Sequence, residues 1–248
     1  MIINFFEEFP TKQNLEKVKL INFHSEIYIA AKSLKHFYFL EKQVKKLNKK
    51  IKCGYWPILD KEDGYWLSPF SRRISLKVLI KELEANKKHL TVMWDAELPH
   101  LKLSLFITQF PFFFSNKKLI LNFLKNSKKY KIKLVSSENV LNSSFFLTSI
   151  PKNIPHKKII MFYSSMHRTK AARNYFIFKL KKIKKKFPKL TVALGTLAKG
   201  ILGSEPVLSP KALEKDLKLM KELSINEITL FRLGGLNKDY IKVLKKSL

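Results

Sequence analysis

The stretch Leu90-Thr91-Val92-Met93-Trp94-Asp95-Ala96-Glu97 decides how the rest of this chain is read. An apolar run of strand length ends in two carboxylates. Side chains alternate across a strand, so Asp95 and Glu97 fall on the same side. Two carboxylates held at one strand end can divide acid and base work when their environments separate their pKa values.

Working outward, seven further strand-like runs accompany this one. They are Ile2–Phe6, a stretch within Leu20–Ala31, Ile51–Trp56, Lys131–Ser136, Lys158–Tyr163, Leu190–Gly195 and Glu227–Arg232. Within the second, Leu20–Phe23 and Ile27–Ala31 are both strand-like, and His24-Ser25-Glu26 lies between them. Helical spacing fills the intervals. Leu34, Phe37, Val44 and Leu47 mark one stripe, and Phe176, Leu180, Ile183 and Phe187 another, the latter surrounded by lysines. Leu213, Leu217 and Met220 follow Ser209-Pro210, an N-cap with proline at the first helical position. The last helix carries Tyr240, Ile241 and Leu244.

Strands alternating with helices imply parallel strands joined by crossovers. Eight such units in 248 residues predict an α/β fold, a single-domain (β/α)8 TIM-type barrel over residues 1–248. An open doubly wound sheet is the alternative. No GxGxxG follows the first strand and no GxxxxGK[ST] occurs, so its nucleotide-binding versions lack their phosphate loops. The fifth unit is irregular: Asn139–Pro155 contains two prolines and no clear helical stripe.

Composition sets outer limits. With 46% hydrophobic and 12% aromatic residues there is ample material for a core. No run approaches the roughly 20 uncharged apolar residues that span a bilayer. The start, Met1-Ile2-Ile3-Asn4-Phe5-Phe6-Glu7-Glu8, lacks a basic segment and is not a signal peptide. A single cysteine, Cys53, excludes an intrachain disulfide and fits a reducing, cytoplasmic setting. The formal charge is +30. It points either to a polyanionic partner or to compositional drift from an AT-rich coding sequence. Only five of the 49 basic residues are arginine, the residue whose fork suits specific phosphate and base recognition. No motif of a known nucleic-acid module is present.

In a barrel the active site lies where strands end. The predicted ends carry Glu7 and Glu8, then Tyr55-Trp56-Pro57, then Trp94, Asp95 and Glu97, then Ser136, Ser137 and Glu138. They continue with Tyr163, Ser164, Ser165, Met166 and His167, then Gly195 and Thr196 with Glu205 further on, and Arg232, Gly234 and Gly235. The chain has only 19 acidic residues, yet several fall at this one rim. Asp95, Glu97 and Glu138 are the candidate catalytic carboxylates. Tyr55, Trp56, Trp66 and Trp94 are candidate sugar-stacking faces, with Glu7, Glu205 and Arg232 as further substrate contacts. Gly64–Phe70 is an aromatic-rich loop suited to a ligand platform. Arg232 and the glycines after the last two strands fit an anion or phosphate site, as in many barrels. Leu103–Phe114 forms an apolar, phenylalanine-rich segment that suits either helix packing or a lipid-facing lip.

Asp95-Ala96-Glu97 on the fourth strand and Met161-Phe162-Tyr163 on the sixth resemble parts of two motifs of the chitinase-like family 18 glycoside hydrolases. These are DxxDxDxE and MxYD. The resemblance implies a (β/α)8 barrel in which Glu97 is the general acid, Asp95 orients the substrate's N-acetyl group, and Tyr163 hydrogen-bonds that group. Family members work by substrate assistance without a protein nucleophile. The two earlier acids of the first motif fall on Leu90 and Met93, and the aspartate of the second on Ser164. Phe231 or Arg232 replaces the family's tryptophan on the eighth strand, and the glycine pair on the third is missing.

Three functions are consistent with these residues. The first is a carbohydrate-active hydrolase needing no cofactor. The second is a divalent-metal-dependent sugar or sugar-phosphate isomerase or lyase, with ligands drawn from His24, Asp95, Glu97, Glu138, His167 and Glu205. The third is a non-enzymatic basic protein binding nucleic acid or an anionic membrane through its lysine-rich helices.

Overall fold

The computed structural model describes residues 1–139, 146–166 and 169–248. Eight strands pair in chain order into a closed parallel barrel: β1 (Ile2–Glu7), β2 (Ser25–Ala31), β3 (Ile51–Pro57), β4 (Leu90–Asp95), β5 (Ile132–Asn139), β6 (Lys157–Met161), β7 (Thr191–Gly195) and β8 (Glu227–Phe231). The helices are α1 (Lys12–Leu15), α2 (Leu34–Leu47), α3 (Arg73–Glu84), α4 (Leu105–Thr108), α5 (Phe113–Asn126), α6 (Lys170–Lys186), α7 (Pro210–Glu222) and α8 (Lys238–Lys245). This is the (β/α)8 TIM barrel that the alternation predicts. Strands such as β7 are buried at every position, as parallel barrel strands covered on both faces must be.

Three strands differ from expectation by more than a single residue at an end. The ambiguous second strand begins only at Ser25, because Glu16–Leu20 winds into a 3-10 helix. The Asn48 side chain holds that turn, donating to the carbonyls of Val18 at 2.8 Å and Ile21 at 2.7 Å. β5 runs on to Asn139, so Glu138 lies inside a strand rather than after one. β6 ends at Met161, which leaves Tyr163 in the loop beyond it. Between β5 and β6 the described residues form turns and no helix.

The chain packs as two compact units. The first comprises Met1–Ile29, Leu40–Cys53 and Ile159–Leu248. Its register runs from Ile2 beside Glu227 to Phe6 beside Phe231, and from Thr191 beside Glu227 to Gly195 beside Phe231. Ser209 caps α7 by accepting from the Ala212 amide at 3.2 Å, with Pro210 first in the helix. The second unit comprises Ala30–Phe39 and Gly54–Lys158. There Leu90 lies beside Ile132 and Asp95 beside Ser137. Its core joins Trp94 of β4 to Phe123 of α5, with ring centres 5.6 Å apart, over the buried Leu76, Leu79, Ile80 and Leu83 of α3.

Candidate functional site

In the second unit, Asp95 is the last residue of β4 and is buried. Its carbonyl accepts from the Leu67 amide at 3.1 Å, which fastens the aromatic loop to the strand end. That loop starts at Gly64, whose φ of 112° is open to glycine and strained for other residues. The Ser71 hydroxyl donates to the Trp66 carbonyl at 2.8 Å, and the buried Asn116 of α5 donates to the carbonyls of Pro69 and Ser71. This aromatic loop is thus held from β4 and α5 together, with Tyr65, Trp66 and Phe70 buried. Glu97 follows two residues after Asp95, beyond the strand and half-buried. Loss of water around it pushes its carboxyl up to about 7, because burial disfavours the charged form.

Register separates the acids of β4 and β5. Asp95 lies beside Ser137 and Trp94 beside Ser136. Alternation therefore puts Glu138 on the face of Ser136 and Trp94, opposite Asp95. The Glu138 carboxylate accepts from the Ser136 hydroxyl at 2.7 Å and the Lys158 ammonium at 2.5 Å. His156 Nε2 lies 3.7 Å away. Burial alone would raise this carboxyl, yet His156, Lys158 and Ser136 together hold it below its ordinary value. Glu138 is an ionised anchor in a buried ion pair.

The aromatic candidates divide in the same way. Trp94 is fully buried against Phe123. Tyr55 is fully buried and stacks on Phe37 of α2 at 5.1 Å, and burial pushes its hydroxyl up. Both rings serve strand–helix packing. Trp56 alternates with Tyr55 and so takes the other face of β3. Trp66 packs edge-on against Tyr65 at 5.2 Å and lies 6.4 Å from the His100 ring, in the loop tied to Asp95.

In the first unit, Glu7 and Arg232 bind each other. Glu7 accepts from Arg232 Nη1 at 3.1 Å, the Phe9 amide at 2.8 Å and the Gly234 amide at 2.6 Å. Burial still holds its carboxyl above the ordinary value. The Arg232 Nε donates to the Lys199 carbonyl at 2.9 Å, and its guanidinium lies 4.8 Å from the centre of the Phe9 ring. These contacts tie the ends of β1 and β8 to the loop after β7.

The neighbouring acid, Glu8, alternates away from Glu7 and accepts from the Ile201 amide at 2.9 Å. Glu205 is buried and accepts from the Leu202 amide at 3.3 Å. Both carboxylates press on Gly200, where an added Cβ would stand 2.8 Å from each and 2.7 Å from the Phe231 ring. Glu8 lies just beyond β1, and the sequence carries no sign of which way either glutamate turns.

Tyr163 is half-buried, 5.6 Å from the Phe231 ring. Ser164 donates its hydroxyl to Asp216 of α7, which also accepts from Arg173 at 2.6 Å. The Ser165 hydroxyl accepts from the Thr196 amide at 3.0 Å and donates to the Gly195 carbonyl at 2.9 Å. His24 is exposed and precedes β2. His167 lies outside the described residues. Among the described residues no three His, Cys, Asp or Glu side chains gather to hold a metal ion.

No protein-family model and no curated protein sequence matches this chain. Solved structures share its fold. The spore cortex-lytic enzyme SleL of Bacillus cereus superposes with a TM-score of 0.61 at 9% identity, over 100% of this chain and 74% of its own. The GH18 chitinase ChiB from the chitin utilization locus of Flavobacterium johnsoniae gives 0.57 at 14% identity, over 99% of this chain and 93% of its own. Phosphoribosyl anthranilate isomerase from Thermococcus kodakaraensis gives 0.52 at 8% identity, over 99% and 97%. At such identities the likeness establishes the barrel architecture alone, shared by chitinase-like and isomerase barrels.

Proposed function

We propose that the protein acts on carbohydrate as a glycoside hydrolase-like enzyme, with Glu97 as general acid and Asp95 orienting the substrate. What carries this reading is the placement of Glu97 two residues beyond the buried Asp95 that closes β4, where burial also raises the Glu97 carboxyl. A carboxyl that stays protonated below about 7 can give its proton to the departing glycosidic oxygen as the bond to the sugar breaks. Asp95 closes the strand and is positioned by its backbone rather than by a mobile loop. The Tyr65–Trp66 loop, tied to the Asp95 carbonyl, packs its buried rings beside the same strand end. The motif fragments at Asp95-Ala96-Glu97 support the same role for each acid. Glu138, fixed by Lys158 on the opposite strand face, is assigned to the framework.

The test is hydrolysis of a panel of aryl glycosides and oligosaccharides, including N-acetylated sugars, by wild type and Glu97→Gln. Loss of a general acid lowers turnover by roughly 10²–10⁴-fold. Wild-type turnover is expected to fall as pH rises through about 7, where Glu97 gives up its proton. Equal turnover in the two proteins removes Glu97 from the mechanism. Absence of hydrolysis across the panel, with binding retained, makes the site a sugar-binding one.

A further inference from the structure

The segment from Leu98 to Ser137 contains eight lysines and no acidic residue. Within it, Ile107, Phe110 and Phe114 are 80, 66 and 71% exposed, although they lie in or beside helices whose other faces are packed. On the neighbouring helix α3, Ile74 and Val78 are 73 and 64% exposed, one turn apart on one stripe. α3 and α5 lie side by side. Their starts are joined by Arg73, whose guanidinium donates to Asn116 at 3.0 Å and sits 5.7 Å from the Phe112 ring. Lys77 and Lys81 flank the α3 stripe, and Lys118 and Lys125 continue the exposed side of α5. Acidic side chains border the face: Glu62 binds Lys102, Asp63 binds Arg72, and at the end of α3 Glu82 accepts from the Leu34 amide and the exposed Glu84 from the Tyr130 hydroxyl.

Scattered exposed apolar residues need no explanation, but a cluster set among mostly basic side chains does. We propose that this face, formed by α3, α4 and the start of α5, docks on the surface of an anionic phospholipid membrane. Large apolar side chains enter the headgroup–acyl boundary while lysines meet lipid phosphates; this is how interfacial helices bind. Charge complementarity selects the occupant. The aliphatic members, Ile74, Val78 and Ile107, have no ring to stack on a nucleic-acid base, which favours lipid over single-stranded RNA. No described helix is long and apolar enough to cross a membrane, so the contact lies in the interface plane.

The test uses the full chain in co-sedimentation with vesicles of phosphatidylcholine alone and of phosphatidylcholine mixed with phosphatidylglycerol. Wild type should pellet with the mixed vesicles, and less so as salt increases. The variant Ile107→Ser/Phe110→Ser/Phe114→Ser should lose roughly hundredfold in partitioning, since each large side chain buried from water contributes strongly. Each of Lys77→Gln, Lys81→Gln and Lys118→Gln should lose roughly fivefold. These side chains are exposed, so circular dichroism and melting temperature should stay as in wild type. Three results overturn the proposal. One is mixed-vesicle binding unchanged by the apolar variant, which would leave only the general +30 charge. Another is wild-type self-association abolished by that variant, which would make the face an interface between copies. The third is RNA binding lost in the same variants without any vesicle binding.

Discussion

Glu97→Gln exchanges a carboxyl that burial holds near 7 for an amide of nearly the same shape. The folded protein keeps the Glu97 proton up to about 7, whereas the unfolded chain releases it near 4.5. Between those values the native state binds more protons than the unfolded state, so this group makes wild type lose stability as pH rises. The span is 7 minus 4.5, about 2.5 pH units, and at about 1.36 kcal/mol per unit it amounts to about 3 kcal/mol. The variant has no proton to lose there. Urea unfolding of both proteins at a series of pH values, with m checked for constancy, measures the difference directly. Wild type minus variant should be level below 4.5, fall by about 3 kcal/mol toward 7, and level off again above it. A difference that stays constant across that window would show Glu97 titrating like an exposed glutamate. The proton-donor role would then lose its physical basis, whatever substrates are tried.

Two further perturbations probe the framework around the candidate acids. Glu138→Gln removes the charged acceptor of the buried Lys158 ammonium and should cost about 3–5 kcal/mol in chemical denaturation, much of it recovered by Glu138→Leu/Lys158→Met. A single-variant cost below about 1 kcal/mol would mean the pair is solvated and Glu138 is free for other work. Gly200→Ala drives a methyl group to 2.8 Å from the Glu8 and Glu205 carboxylates, so the melting curve should show a loss of about 1–3 kcal/mol. A neutral outcome would mean that the loop after β7 is not held against those acids.

The barrel was legible in the chain because its evidence is local. Hydrophobic runs of strand length, helical stripes between them, and Ser209-Pro210 at a helix start are each set by neighbours a few residues away. The second strand was ambiguous because two short strand-like runs compete there. A distant side chain, Asn48, settles the matter by holding Val18 and Ile21 in a turn.

The candidate site was legible only as a list of residues. Two-residue spacing predicts Asp95 and Glu97 on one side of a strand, but the strand stops at Asp95, so where Glu97 turns is set beyond it. Which face Glu138, Trp94 and Tyr55 take depends on register between strands far apart in sequence, and a shift of one residue reverses every side chain. Register gives Trp94 to Phe123, Tyr55 to Phe37 and Glu138 to Lys158. It likewise binds Glu7 to Arg232 and turns Glu8 toward Gly200. The sequence by itself determined the elements and the supply of acids at strand ends. Tertiary structure decided which acids are fixed by cations and which, like Glu97, are partly withdrawn from water, because pairing and burial are set by groups that meet only in the folded chain.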